Sequence, residues 1–329
     1  MEIELSIVLP VYNVELFLER CLKNIEMQVK NRKNVEVIMV DDGSKDRSIK
    51  ICEAFCKKNS NFFLVQESNH GTGFARNSGL NNSRGKYIYF VDPDDYMEPH
   101  AINVILNCIN MYGNTDLFMF SYYDVILKKK ILRCFGRDFL LDQNSFREGF
   151  TKLFKTNMLY TVWNKVYNKS FLIRNNLAFG FEEMGEDTRF NLKVYKKVNS
   201  VYISKSVIYD YVIKRENSST TSFRESGFNL KCEEVELLNN LLNFFNEKDD
   251  SFIFKSYRNA VKYFINHVMA SKLSWTNKKK EINLLFKNRA FKWIKSKKFK
   301  KNLSEYFIYD FNINLLMILY SIKILLRRN

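Results

Sequence analysis

Tyr87-Ile88-Tyr89-Phe90-Val91-Asp92-Pro93-Asp94-Asp95 is an unbroken apolar run that ends on three carboxylates. Aromatic and β-branched residues in a short run closed by a proline predict a buried strand with a turn at its carboxyl end. Three acids in that turn suit a hard divalent cation, since Mg²⁺ and Mn²⁺ take a couple of carboxylates together with water and phosphate oxygens. Taken alone, the same acids also read as an acidic turn that caps the next helix. The position at a strand end favours the cation.

Working outward, short apolar runs alternate with amphipathic ones from Leu5 to Tyr122. The strand-like runs are Ser6–Pro10, Val35–Val40, Phe62–Gln66, Tyr87–Val91 and Leu117–Ser121. Helix-like stretches fall between them at Val14–Met27, Asp46–Lys58, Thr72–Asn81 and His100–Tyr112. Such βα alternation predicts an α/β fold with a mostly parallel sheet flanked by helices, whose ligands sit beyond the carboxyl ends of the strands. Those ends are polar: Tyr12-Asn13, Asp41-Asp42-Gly43-Ser44, Asn69-His70-Gly71 and Asp92-Pro93-Asp94-Asp95. Beyond about residue 125 the alternation weakens, and from Glu225 the chain reads as amphipathic helices. We therefore expect a catalytic domain over residues 1–220 and a basic helical C-terminal region over 221–329.

The strand-end acids at Asp41-Asp42 exceed what a helix cap needs, because a cap explains one polar residue and not two adjacent aspartates. A carboxylate there can accept from a uracil N3–H or from ribose hydroxyls. Gly71-Thr72-Gly73-Phe74-Ala75-Arg76 imitates a dinucleotide glycine loop only in part, since Arg76 stands where the third glycine belongs and the stretch follows the third strand. No GxxxxGK[ST] phosphate loop occurs. Phosphate charge would then fall to metal, arginine or a helix N-terminus.

Charge is divided unevenly along the 329 residues, which carry +16 overall. Residues 1–120 hold 13 basic and 16 acidic side chains, whereas residues 270–329 hold 15 basic and 3 acidic ones, which points to an anionic partner for the tail. Within that tail residues 311–326 are strongly apolar but too short and too interrupted to span a bilayer, and basic runs flank them on both sides. An interfacial helix on an anionic membrane surface is the expectation, with a helix packed on the core as its alternative. Six cysteines without CxxC or metal spacing, and a start that runs straight into a strand without a signal peptide, lead us to expect a cytoplasmic chain, and the tail leads us to expect it peripheral on the inner face of the cell membrane.

Four motifs carry a resemblance: Pro10-Val11-Tyr12-Asn13, Val40-Asp41-Asp42-Gly43-Ser44, Asn69-x-Gly71-x-x-x-Ala75-Arg76-Asn77-x-Gly79 and Asp92-x-Asp94-Asp95. In this order and spacing the first 100 or so residues resemble the family 2 glycosyltransferases of the GT-A (Rossmann-like) fold, in particular bacterial polysaccharide-building members. The resemblance implies that Pro10, Tyr12, Asn13 and Asp41 hold the nucleobase side of a nucleotide-sugar donor, with Asn69, Gly71 and Arg76 closing around a uridine. It implies that Asp92 and Asp94 form the DxD motif, with Asp92 near ribose or metal and Asp94 ligating Mn²⁺ or Mg²⁺. Met184-Gly185-Glu186-Asp187-Thr188 resembles the family's ED motif, which assigns the catalytic base to Asp187 with Glu186 beside it; alone, the pair would read as first-turn acids stabilised by the helix dipole. Trp163-Asn164-Lys165 and the stretch Tyr211 to Ser218, with Arg215, resemble segments of the same members, and imply contacts to acceptor or pyrophosphate, although Trp163 and Tyr211 also suit a core.

The chemistry implied is an inverting displacement at an anomeric carbon, from a UDP-sugar to a hydroxyl of a saccharide or lipid-linked acceptor. Two rivals stay open at this point. A nucleotidyltransferase on a similar sheet would share the strand-end acids, but it would usually carry a glycine-rich first loop, and Leu9-Pro10-Val11-Tyr12-Asn13 has no glycine. A basic nucleic-acid-binding protein would explain the tail alone. Nucleic acid is not the expected partner.

Overall fold

The computed structural model of the chain describes residues 2–127, 129–182, 184–213, 223–297, 305, 308–309 and 313–325. Two compact units divide it, Met1–Lys214 and Arg215–Asn329.

In the first unit, strands β1 (Leu5–Val11) and β2 (Val35–Asp41) are buried at every residue, the pattern of parallel strands covered on both faces. β3 (Phe62–Gln66) and β4 (Tyr87–Phe90) complete a parallel set in the order β3-β2-β1-β4. Strand order reverses between β1 and β4, which makes their carboxyl ends the place where a ligand crevice opens. Pro10 helps to open it. The Val8 carbonyl accepts from Val91 N–H on the β4 side, and Pro10, two residues on, turns its missing N–H to that side, so pairing with β4 stops at Val8.

Helix α1 (Glu15–Val29) follows β1, α2 (Ser48–Lys58) follows β2, and α3 (Thr72–Asn82) follows β3. α3 lies on the sheet at a distance only glycine permits: a Cβ on Gly79 would stand 2.2 Å from Val8 Cγ1. After β4 come the short β5 (Tyr96–Met97) and α4 (Ala101–Met111). The sheet then continues through β6 (Leu117–Ile126), β7 (Lys129–Arg133), β8 (Phe139–Asp142), β9 (Lys165–Asn168) and β10 (Ser200–Val212). β9 runs antiparallel between β4 and β6, while β10 pairs parallel with β6 and antiparallel with β5 and β8. Helices α5 (Gln143–Glu148), α6 (Phe150–Phe154), α7 (Lys169–Arg174) and α8 (Glu186–Lys197) fill the connections, with α8 leading into β10.

The second unit is helical: α9 (Gly227–Phe244), α10 (Asp250–Ala270), α11 (Trp275–Lys287), α12 (Arg289–Ser296) and α13 (Ile313–Leu325). Side-chain caps start three of them, with Asp249, Ser274 and Asn288 accepting from the backbone N–H groups of Phe252, Asn277 and Ala290. Val261, Ile265, Val268, Ile282, Ile294, Leu316 and Met317 build one apolar core. Among the described residues no helix is long and apolar enough to cross a membrane. The apolar tail read from the sequence is α13, and it divides its residues. Leu316, Met317 and Tyr320 are core residues, whereas Leu315, Ile318 and Ile322 are 37%, 48% and 48% exposed and recur at i, i+3 and i+7 on one face.

Candidate active site

The carboxyl ends of β1, β2 and β3 are stitched to one another by their own polar residues. Asp41 turns one carboxylate oxygen onto the backbone N–H groups of Gly43 and Ser44, both at 3.1 Å, and so closes the turn after β2. Its other oxygen, Oδ1, is buried without a hydrogen-bond partner. Asp42 reaches the neighbouring loop and accepts from His70 N–H at 2.7 Å and Gly71 N–H at 2.8 Å. On the opposite side Asn13 donates its N–H to Ser44 Oγ at 3.1 Å and accepts from Lys45 N–H at 2.8 Å. Gly43 is required where these loops meet, because its φ is +76° and a Cβ would stand 3.0 Å from Asn69 N. Pro10 is buried beneath the loops, Asn69 and Gly71 are exposed on them, and Tyr12 presents its ring at 43% exposure.

Arg76 organises the other half of the site. Its guanidinium donates to Asp187 Oδ1 at 2.6 Å, to Glu186 Oε1 at 3.1 Å and to Asp92 Oδ1 at 2.8 Å. It is 2% exposed and lies over the Phe179 ring at 5.4 Å. Glu186 and Asp187 open α8 behind Gly185, whose φ of +80° lets the chain turn into the helix. The preceding segment is locked to α3: Asn77 Nδ2 donates to the Phe179 carbonyl at 3.0 Å while Phe179 N–H donates to Asn77 Oδ1 at 2.9 Å. Gly73 permits this approach, since a Cβ there would meet the Gly180 carbonyl at 2.6 Å. Phe179 and Phe190 stack at 4.0 Å, and both pack edge-on against Phe90 of β4.

Burial raises the Asp187 carboxyl against the pull of Arg76, and with Glu186 and Asp92 beside it the group is pushed up to about 7. The side chain keeps 21% exposure, so it is reachable from solvent.

The other expected contact residues lie as follows. Arg76, expected to close around a uridine, is buried among three carboxylates. Lys165 is fully buried in β9, and its ammonium donates to the Met158 carbonyl at 3.0 Å, to the Thr161 carbonyl and to Asn164 Oδ1 at 2.7 Å. All three of its protons are used internally, which leaves nothing for a pyrophosphate. Asn164 is likewise buried and donates to the carbonyls of Phe120 and Met158. Trp163 is a core ring, 2% exposed and stacked on Tyr209 at 4.6 Å and on the half-exposed Tyr211 at 5.0 Å. Arg215 and Ser218 lie outside the described residues.

Residues that the sequence did not single out complete the site. The Tyr209 hydroxyl accepts from Asp92 N–H and donates to Asp95 Oδ2, both at 3.1 Å. Asp95 also accepts from Val212 N–H at 2.9 Å, so the third acid of the strand-end cluster is a fully buried brace for β10 and leaves Asp92 and Asp94 at the crevice. Asp42, Gly73 and Asn77 sat inside the quoted motifs, but only a fold shows that they join loops.

Asp92 and Asp94 are half-buried hard oxygen donors beside a group in which one guanidinium faces three carboxylates. That excess of negative charge and that donor type fit Mn²⁺ or Mg²⁺. Among the described residues no three or more His, Cys, Asp or Glu side chains are so grouped that they alone could hold a metal ion.

The crevice thus combines a parallel strand set with acids at the switch point and a second acidic pair at a helix start. The model of the glycosyl transferase family 2 matches residues 6–173, and the chain belongs to that family. It is 31% identical over 249 residues to the glycosyltransferase GlyA of Streptococcus pneumoniae, covering 72% of this chain and 35% of GlyA. It is 27% identical over 222 residues to the poly(ribitol-phosphate) β-N-acetylglucosaminyltransferase TarS of Staphylococcus aureus, covering 66% of this chain and 37% of TarS. The chain thus spans little more than a third of the length of either relative. The crystal structure of S. aureus TarS 1-349 in complex with UDP-GlcNAc shares the fold at a TM-score of 0.64 and 19% identity, covering 98% of this chain and 89% of that one.

Proposed function

We propose that the chain transfers a sugar from a UDP-sugar to a hydroxyl of a glycan or lipid-linked saccharide, in bacterial surface polysaccharide synthesis, by a single displacement that inverts the anomeric centre. The observation that carries this reading is the Arg76 guanidinium, which ties the strand-end Asp92 to the helix-start pair Glu186 and Asp187. It fixes a donor-side carboxylate and a proton acceptor in one rigid frame, which is the arrangement a displacement between two bound substrates requires. The buried Asp41 Oδ1 without a partner is a suitable acceptor for a uracil N3–H, and UDP-GlcNAc in the TarS structure supports the choice of base. Tyr12 is placed to cover the base with its exposed ring.

In this mechanism Asp187 removes the proton of the acceptor hydroxyl as that oxygen attacks C1, Arg76 holds it in position, and the neighbouring charge of Glu186 raises its basicity. Asp92 and Asp94 would hold Mn²⁺ or Mg²⁺, which when bound stabilises negative charge on the departing diphosphate. Replacing Asp94 by Ala should abolish the dependence of donor binding on added Mn²⁺ and lower turnover at least a hundredfold. Calorimetry of UDP with and without Mn²⁺ checks this; an Asp94→Ala protein with wild-type turnover in chelator-treated buffer would remove Asp94 from the donor site.

The raised carboxyl of Asp187 sets a pH dependence. The base works ionised, so kcat/KM should be level above about 7 and fall about tenfold per pH unit below it. The same shift acts oppositely on the fold: between 3.8 and about 7 the native state holds a proton that the unfolded chain has released, so this group's contribution to stability diminishes as the pH rises through that window. A pH–rate profile without an acid limb between 5 and 8 would contradict a base whose carboxyl is raised in this way.

We place the protein on the inner face of the membrane as a peripheral component, which the basic tail and the exposed apolar face of α13 support. Flotation with anionic vesicles at low salt tests the placement, and failure to float would contradict it.

A further inference from the structure

Pairing between β1 and β4 ends at the hydrogen bond from Val91 N–H to the Val8 carbonyl, and the segment that follows, which carries Asp92 and Asp94, takes its support from elsewhere. On one side it is held by β10, through Tyr209 and the two residues of β5. On the other it is held by α1. Arg20, Asn24 and Gln28 recur at i, i+4 and i+8 and so lie along one face of that helix. Each of them reaches the backbone of the segment. Arg20 Nη2 donates to the Asp94 carbonyl at 3.3 Å, and Asn24 Oδ1 accepts from Met97 N–H at 3.1 Å. Gln28 donates to the Glu98 carbonyl and accepts from Ile102 N–H, both at 3.2 Å. Arg32, just past the end of α1, continues the row to the Asn103 side chain.

Arg20 is the member of this row that meets the acidic turn itself. Its guanidinium lies 3.9 Å from the centre of the Tyr96 ring and 5.8 Å from that of Phe17, so one planar group stacks on a ring of the segment while its edge donates to the Asp94 carbonyl. An ammonium cannot do both. The start of the same helix is fastened to the loop after β2, because Val14 N–H donates to Ser48 Oγ at 3.1 Å and Glu15 N–H to Asp46 Oδ2 at 3.0 Å. Tyr12 and Asn13 lead directly into it. A single helix therefore joins the loops proposed for the nucleobase to the turn proposed for the metal.

We propose that Arg20 is a positioning residue for the donor site: by holding the Asp94 carbonyl against α1, it sets the Asp92-Pro93-Asp94 turn at the separation from the nucleobase loops that a metal-bound diphosphate needs. This role rests on Asp92 and Asp94 as the metal ligands, and the test separates the two claims. Charge alone predicts the opposite sign. Removing a cation from beside Asp94 would strengthen the attraction of that turn for Mn²⁺, so a weaker response to Mn²⁺ reports lost geometry.

The full-length chain is titrated with UDP by calorimetry in chelator-treated buffer and at a series of Mn²⁺ concentrations, as wild type, Arg20→Met and Lys23→Met. Lys23 is an equally charged, exposed side chain of α1 that pairs with Glu19. Wild-type affinity for UDP should rise with Mn²⁺. Arg20→Met should bind UDP within twofold of wild type in chelator, should need at least fivefold more Mn²⁺ for half of the gain, and should regain full affinity at excess Mn²⁺. Its melting temperature without ligand should fall by no more than about 3 °C, the size expected for one exposed contact in a chain of this length. Lys23→Met should follow wild type throughout. If Arg20→Met needs the same or less Mn²⁺, Arg20 does not position the turn. An equal loss of UDP affinity with and without Mn²⁺, or the same loss in Lys23→Met, would likewise overturn the role. If wild-type affinity for UDP does not respond to Mn²⁺ at all, the metal reading of Asp92 and Asp94 fails, and the role of Arg20 falls with it.

Discussion

Asp187→Asn should leave UDP affinity within about threefold of wild type while kcat falls about 10²–10⁴-fold, the usual effect of removing a general base. The amide fills the same space and its Oδ1 can still accept from Arg76, which in the wild type lies 2.6 Å from that oxygen. The amide cannot take a proton from the acceptor hydroxyl. Loss should therefore appear in turnover and not in donor binding, and donor hydrolysis in the absence of acceptor should fall as well, since water needs the same base. Equal losses in UDP affinity and kcat would instead make Asp187 part of the donor pocket.

The second large effect is expected at Arg76. Arg76→Met keeps most of the side chain's length and removes a buried cation from beneath three carboxylates. Breaking a buried ion pair on one side typically costs about 3–5 kcal/mol, because the partners remain buried and uncompensated. The three acids would then repel one another, and the frame between β4 and α8 should loosen, so activity and melting temperature should fall together. Arg76→Lys discriminates between charge and shape. An ammonium on a flexible stem restores the charge but lacks the planar fork that meets Asp92, Glu186 and Asp187 together. Melting should therefore recover in large part while kcat stays at least tenfold below wild type. Wild-type kcat in Arg76→Lys would reduce the guanidinium to a source of charge.

Much of the parallel half of the first unit was legible in the sequence because β1, β2 and β4 are buried at every residue. Such strands read as continuous apolar runs, and the runs ending at Pro10, Val40, Gln66 and Val91 fall within a residue of β1 to β4. Their polar ends could be read in the same way, since an acid pair directly after a buried strand has few structural explanations. β9 was not legible. It is four residues long and carries Lys165, and a lysine normally marks an exposed position; here buried carbonyls replace water around its ammonium. The antiparallel pairings that β9 makes could not be read either, because partners distant in sequence leave no local period.

The same limit explains Arg76. Its three acids lie 16, 110 and 111 residues away, and a helical arginine next to a glycine-rich loop looks identical in sequence whether it meets a nucleotide or a carboxylate. Trp163 and Tyr211 posed the matching problem for aromatics, since a sugar platform and a core stack use the same residue types. The ring of Tyr209 at 4.6 Å from Trp163 decides for the core.

The measurement that bears most directly on the proposed activity is a thermal-shift screen of UDP-, GDP- and dTDP-sugars with and without Mn²⁺, run on wild type and on Asp41→Asn. A ligand at a hundredfold excess over its Kd stabilises the native state by about 2.7 kcal/mol. UDP-sugars with Mn²⁺ should raise the wild-type melting temperature by several degrees, GDP- and dTDP-sugars should do so less, and Asp41→Asn should lose most of the rise. No rise with any nucleotide-sugar, or an undiminished rise in Asp41→Asn, would contradict a donor site at the ends of these strands.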